Sequence, residues 1–280
     1  MLKVLKSGFF TSVQDIGRYH YRHIGVPVSG VMDYKAYTKA NFLLENTPDA
    51  AVLEMTMTGP TLLFELDTYI ALAGANLSAT LNNEPIENYQ VYQIKAGDIL
   101  SYGRLENGFR SYLAVKGGLQ FDSVLGSKSQ YIPLTKNNHL TDGMQISYAE
   151  TKDFQPKIPK IKIDTYFEDL TVHVAKAPEY DLLTQNQKKQ LFDASFTVAK
   201  ENNRMAYQLK EAIDAHNLSM LTSATMPGTV QLTPAGKLIV LMKDGQTTGG
   251  YPRILQLTEE AIAILAQKKS GDSITFQLRN

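Results

Sequence analysis

Between residues 51 and 118 the chain can hardly continue in one direction for more than a few residues. Short apolar runs at 62–64, 69–73, 78–81, 91–94, 99–102 and 112–115 are separated by Gly59-Pro60, Asn82-Asn83, Ala96-Gly97-Asp98, Asn107-Gly108 and Gly117-Gly118. Turn residues at this density leave no room for long helices, and many short strands at close spacing predict a barrel or a sandwich. Leu53, Met55 and Met57 alternate with Glu54, Thr56 and Thr58, which predicts a strand with one buried face. Asn107-Gly108 carries the signal of a tight hairpin.

Helices are few and short. Asp33 is a natural N-cap for a helix over about 34–45, because its carboxylate can accept a free first-turn N–H, and Ala36, Ala40, Leu43 and Leu44 share one face. Thr184 caps a second helix over about 185–192. Thr258 caps a third over about 259–268, with glutamates at its start and lysines at its end, as the helix dipole favours. Residues 151–164 are rich in lysine and proline and show little periodicity. They predict a linker at 156–164 between a domain at 1–155 and another at 165–280. The class is mainly β with a few short helices.

Composition removes several functions. Lys plus Arg, 28, balance Asp plus Glu, 28, which argues against a general nucleic-acid binder. There is no cysteine, so disulfides, Cys-ligated zinc and Cys nucleophiles are excluded. No run is long enough to cross a bilayer, and MLKVLKSGFF lacks the apolar core of a signal peptide, so the expected location is the cytoplasm, with no membrane partner. Of five histidines only His20 and His23 are close, without a carboxylate at zinc-site spacing, so no metal site is expected. Gly236-Lys237 lacks the upstream glycine of a P-loop. Met242-Lys243 is followed by Asp rather than Met, so it is not a biotin-carrier lysine.

The chemistry-bearing residues cluster near the two ends. The stretch 226–252, MPGTVQLTPAGKLIVLMKDGQTTGGYP, holds a turn at Pro227-Gly228, a strand carrying Gln231, a buried strand over 238–242 and the loop Thr247-Thr248-Gly249-Gly250-Tyr251. Two hydroxyls and two glycines able to take positive φ make a cradle for an anion or a carbonyl oxygen, although a Gly-Gly pair also serves as a plain turn or bulge. Near the start stand Gln14-Asp15-Ile16-Gly17-Arg18, then Ser29-Gly30 ahead of a helix N-terminus, then Asn41 within that helix.

PGTVQ, then LIVLM-x-D, then QTTGGYP resembles the C-terminal signature of the KipA family, also called the C component of 5-oxoprolinase or allophanate hydrolase subunit 2. The same family appears in the carboxyltransferase region of urea amidolyase. TSVQDIGR at 11–18, GVPVSGVMD at 25–33 and Ala40-Asn41 agree at the other end, so the likeness spans nearly the whole chain. It implies two cyclophilin-like β-barrel domains and a role as the C component of an ATP-dependent 5-oxoprolinase. That complex converts 5-oxoproline, ATP and water to glutamate, ADP and phosphate, with a KipI-like protein as its B component and a further protein as its A component. ATP and magnesium then belong to the assembled complex rather than to this chain alone, and biotin is not called for. Two alternatives stay open: a regulatory protein antagonising a KipI-like histidine-kinase inhibitor, and a biotin-dependent carboxyltransferase or allophanate hydrolase subunit 2.

A site for the lactam acid must grip a carboxylate, hold the ring N–H and C=O, and meet developing negative charge. Arg18, Arg110 and Arg204 are candidates for the carboxylate, since a guanidinium donates two parallel hydrogen bonds. Gln14 and Gln231 can each donate to C=O and accept from N–H. Ser29, Gly30, Thr247, Thr248, Gly249 and Gly250 could supply donors, with Asn41 and Tyr251 beside them. Asp15 and Asp33 could orient an arginine or act as base, with Arg18 completing the catalytic set; Asp33 serves equally as a helix cap and Arg18 as an internal ion pair. All of this requires the chain's start to meet the glycine loop near its end. The sequence also departs from the family at Ser127-Lys128-Ser129-Gln130, at 204–209 (RMAYQL) and at Thr222-Ser223-Ala224, where an expected Glu is absent.

Overall fold

The computed structural model describes residues 1–163 and 165–279, so Asp164, the last residue of the expected linker, and Asn280 lie outside the described residues. Two compact units emerge. Among the described residues, 1–18 and 29–163 form one, and 19–28 and 165–279 form the other. The chain therefore leaves the first unit at Arg18, contributes ten residues to the second, and returns at Ser29. Contiguous halves, the simplest partition of the sequence, do not describe it.

The first unit is layered. A seven-stranded sheet runs in the order Leu119–Gln120, Gln145–Tyr148, Leu2–Lys6, Thr61–Phe64, Ile99–Ser101, Thr80–Leu81, Glu84–Pro85. A five-stranded antiparallel sheet runs Phe10–Gln14, Val52–Thr56, Asn107–Val115, Thr68–Asn76, Val91–Ile94. Asn82 and Asn83 both take positive φ, 52° and 69°, in the two-residue turn joining Thr80–Leu81 to Glu84–Pro85, as a hairpin with the strands' own twist requires. Helix α1, Tyr34–Leu43, covers the five-stranded sheet.

Side chains of the five-stranded sheet divide by period two between separate cores. Leu53, Met55, Ile70, Leu72, Leu113 and Val115 join the core shared with the seven-stranded sheet. Val52, Ala71, Ala73, Tyr112 and Ala114 join the core under α1, where Ala36, Tyr37, Ala40, Leu43 and Leu44 pack. Alanines at 71, 73 and 114 let the helix approach the sheet. The expectation of a half-buried strand at 53–58 fails here: Val52–Thr56 is buried throughout, with Val52 in the core under α1 and Met32 and Arg110 closing over Glu54. Asn107-Gly108 is not a hairpin turn either. It opens the strand Asn107–Val115, with Gly108 at φ 72° where the register shifts. The segment expected as a linker lies partly along the sheet edge: Val91 N–H donates to Pro159 O at 2.8 Å and Ile161 N–H to Tyr89 O at 3.0 Å.

The second unit is a closed barrel of seven strands in the order Thr171–Lys176, Arg253–Leu257, Thr229–Leu232, Lys237–Leu241, Ala206–Ala212, Phe196–Asn202, Ser273–Leu278. The first and last strands close it as a parallel pair. Val172 and Val174, Tyr207 and Leu209, Leu238 and Val240, and Ile274 and Phe276 alternate into its buried set. Helix α2 is Gln185–Asp193, and helix α3, Glu259–Ala266, is buried over six of its eight residues. Each α-helix begins as its sequence predicts: Asp33 accepts from Ala36 N–H, Thr184 from Gln187 N–H within a capping box, and Thr258 from Ala261 N–H. The lysines expected in the last turn of α3 fall beyond it, and Lys268 instead donates to Phe167 O at 2.7 Å.

Gly236 turns the chain between Thr229–Leu232 and Lys237–Leu241 with φ 80°, and a Cβ there would stand 1.9 Å from Ile213 O. Gly236→Ala meets both a strained backbone and a fixed carbonyl. It should lower stability by about 2 kcal/mol or more, read as a reduced urea midpoint with unchanged slope.

Candidate functional site

In the first unit the motif residues fold into two buried hydrogen-bonded networks. The first is centred on Asp15. Its Oδ1 accepts from Gly17 N–H (2.8 Å), Ser127 Oγ (2.6 Å) and Ser129 Oγ (2.7 Å), and its Oδ2 accepts from Lys128 N–H (2.6 Å). A carboxylate with this many donors is an anchor, and here it ties the 127–129 segment to the end of the strand Phe10–Gln14. Arg18, wholly buried, donates to Val124 O at 3.1 Å and to Ser129 O. Gln14 Nε2 donates to Ser12 Oγ at 3.0 Å. Gln14, Asp15 and Arg18 thus do assemble, around Ser127-Lys128-Ser129, a segment singled out in the sequence only as a departure.

The second network lies under α1. Glu54 Oε2 accepts from Met32 N–H at 2.7 Å and from the Tyr112 hydroxyl at 2.8 Å, while that hydroxyl accepts from Asp33 N–H at 2.9 Å. Arg110 Nε stands 3.8 Å from Glu54 Oε1. Burial, reinforced by Glu54, pushes the Tyr112 phenol well above its usual range, so it is a neutral hydrogen-bond relay. Together these groups fix the loop that carries Ser29 and Gly30 into the helix. Ser29 takes φ 56° and its Oγ is buried without a hydrogen-bond partner. A Cβ on Gly30 would meet Gly17 N at 2.7 Å. Asp33 caps α1, and Asn41 Nδ2 donates to Ala50 O at 3.0 Å.

In the second unit the glycine loop is a short strand. Thr248–Gly249 pairs antiparallel with Ser223–Ala224, Ser223 opposite Gly249 and Ala224 opposite Thr248. The expectation that Gly249 and Gly250 use positive φ is corrected, since neither does. Gly249 matters for its missing side chain: a Cβ would stand 2.4 Å from Gln231 Nε2 and 3.0 Å from Gln246 Nε2. Gln231 is buried, and its Nε2 has no hydrogen-bond partner. Thr248, Gly250 and Tyr251 are exposed and Thr247 half-buried. Arg204 forms a two-pronged pair with Asp244, Nε to Oδ2 at 2.9 Å and Nη2 to Oδ1 at 3.1 Å.

Residues the sequence did not single out complete this face. Arg22, in a 3-10 turn at Arg22–Ile24, donates through Nη2 to Thr225 O. Thr225 in turn holds the loop, its N–H to Thr247 O at 3.0 Å and its Oγ1 to Gln246 O at 2.5 Å. Residues 19–28 therefore reach the glycine loop within this unit, while Gln14, Asp15, Arg18, Ser29 and Gly30, the groups expected there, belong to the other unit. Arg253 Nη1 donates to Ala224 O at 2.6 Å, while its Nε and Nη2 engage Glu179 at 2.9 and 2.8 Å. Among the described residues no group of three or more His, Asp or Glu is placed to hold a metal ion, and no helix is long and apolar enough to cross a membrane.

With this geometry in place, comparison with known proteins adds the following. A model of the carboxyltransferase domain, subdomain A and B, matches residues 24–278. The chain is 33% identical over 282 residues to the C component of 5-oxoprolinase from Escherichia coli (strain K12), across 99% of this chain and 90% of that protein. It is 28% identical to urea amidolyase of Lachancea kluyveri, across 98% of this chain and 17% of that longer protein. The crystal structure of TTHA0988 superposes with a TM-score of 0.90 at 27% identity, across 99% of this chain, which spans 55% of that solved chain.

The Arg253 guanidinium holds the Glu179 carboxyl below the usual glutamate range. A depressed folded value means the pair stabilises the protein above the ordinary glutamate pKa and is lost as pH falls through the folded one. Glu179→Gln should therefore cost about 1–2 kcal/mol at neutral pH, and the gap from wild type should close below about pH 4, as followed by urea melts across pH.

Proposed function

The chain belongs to the carboxyltransferase-domain family, subdomain A and B, and from that premise we propose that it is the C component of an ATP-dependent 5-oxoprolinase, acting in a heteromer with a KipI-like B component and an A component. The observation that carries this is the near end-to-end match to a protein that is itself one component of a 5-oxoprolinase, rather than to a segment of a larger enzyme.

The chemistry sets what this chain must do. An unstrained lactam resists water because its nitrogen lone pair is delocalised into the carbonyl. Phosphorylation of the amide oxygen by ATP removes that resistance and leaves a carbon that water can attack. Before this, the small acid must be held by its carboxylate and its ring amide and kept from bulk water. Gln231, packed against Gly249 beside the loop, offers a buried donor for that purpose. Asp15, Glu54 and Arg110 serve the same function indirectly, as buried anchors that fix the backbone around Ser29 and Gly30. ATP and magnesium are assigned to the assembled complex, since this chain has no phosphate-binding loop of its own.

The family description and the likeness to urea amidolyase favour a second function, transfer of a carboxyl group carried on biotin. Reconstitution separates the two. The purified chain, mixed with the A and B components, 5-oxoproline, ATP and magnesium, should yield glutamate and ADP in equal amounts, and omitting this chain should abolish glutamate. Absence of glutamate, together with avidin-sensitive carboxylation of urea or a small amide, would instead establish the carboxyltransferase.

A further inference from the structure

Three arginines follow from the sequence as carboxylate grips, and each is engaged inside its own unit. Arg18 serves backbone carbonyls, Arg110 lies against Glu54, and Arg204 is bound through both prongs to Asp244. Arg253 is likewise neutralised by Glu179. Arg22 lies in the barrel unit, against the strand pair that carries the glycine loop. Its Nη2 is used by Thr225 O, Nη1 is buried without a hydrogen-bond partner, and no carboxylate within ion-pair distance offsets its charge among the described residues. Burial lowers the pKa of this guanidinium with no acidic neighbour opposing the shift. A partly desolvated cation with an idle, well-placed donor is costly to the fold unless an anion visits it.

A second idle donor lies along the same short strand pair. Gln231 Nε2 is buried, has no partner, and packs against Gly249 where a side chain would otherwise stand. Arg22 meets the pair at Thr225, and Gly249 stands opposite Ser223, two residues earlier. Extended chain rises about 3.3 Å per residue, which separates the two positions by roughly 7 Å. Both orphans are donors, so the missing ligand supplies acceptors at each end. One uncompensated positive charge calls for a monoanion. A phosphate dianion would draw on further cations, and Arg253, which bonds the same strand pair at Ala224, is already paired with Glu179.

We propose that Arg22 Nη1 and Gln231 Nε2 form the grip for a small carboxylic acid bearing a neutral carbonyl, Arg22 taking the carboxylate and Gln231 the carbonyl oxygen. The identity of the acid rests on the 5-oxoprolinase function above; the chemistry of the grip does not. Gly249 leaves room for the Gln231 amide, and Thr225 and Gln246 hold the strand pair beside it.

Calorimetric and NMR titrations of the purified chain with 5-oxoproline, neutral 2-pyrrolidinone and inorganic phosphate test this. Wild type should bind 5-oxoproline saturably and the other two far more weakly. Arg22→Gln and Gln231→Leu should each weaken 5-oxoproline about tenfold or more, with Arg22→Lys intermediate because it keeps charge but loses the fork. Gln231→Leu removes an unsatisfied buried amide, so its thermal midpoint should hold or rise while binding falls. Absence of saturable binding by wild type overturns the proposal. So do unchanged binding in both variants, equal affinity for the neutral lactam, or tighter binding of phosphate. A Gln231→Leu variant that loses stability and keeps binding would make the residue structural. If the complete complex makes no glutamate yet Arg22→Gln still releases the acid, the assigned reaction falls and the grip stands. If glutamate forms at unchanged KM with Arg22→Gln, the grip falls and the reaction stands.

Discussion

Glu54 and Asp15 are carboxylates sealed from water in the first unit, and the surrounding backbone is arranged to answer them. An ionised oxygen removed from solvent must recover several hydrogen bonds or destabilise the fold by kilocalories. Asp15 recovers them from Gly17, Ser127, Lys128 and Ser129, and Glu54 from Met32 and Tyr112. In satisfying those oxygens the protein fixes the loops on either side of Ser29 and Gly30. The residues that look most chemical in this part of the sequence are thus consumed in holding shape.

In the second unit, paired charges, Arg204 with Asp244 and Arg253 with Glu179, stabilise the barrel's turns and edges, and two buried donors near the glycine loop have no hydrogen-bond partner. Unused hydrogen-bonding capacity in a dry position is rare in folded proteins. Its placement beside a residue with no side chain is the observation on which the proposed grip rests.

Local signals survived translation into structure better than distant ones. Asp33, Thr184 and Thr258 announce helix starts because a cap needs only three neighbouring residues. Strand positions from 52 to 115 were legible from alternation and turns. What alternation could not reveal was that the second face of the sheet is closed as well, by α1 and by the loop leading into it, which leaves Glu54 and Thr56 buried. Asp15 meets its serine partners across 112 and 114 residues, a pairing no window along the chain contains. Arg22 escaped notice for a related reason. Arg18 sat beside the more familiar residues, and only the departure of 19–28 into the other unit distinguishes the two arginines. Gln231 and Gly249 were legible as polar residues in an apolar setting, but their facing one another was not.

The exchange of 19–28 bears on how such a protein can be divided. A gene fragment encoding 165–280 alone would specify every barrel strand and still omit the short piece of its unit that delivers Arg22. The complementary fragment would carry an excursion with nothing to settle on. Severing the chain at the composition break therefore does not yield two self-sufficient parts. A division that respects both units keeps residues 19–28 with the barrel that borrows them.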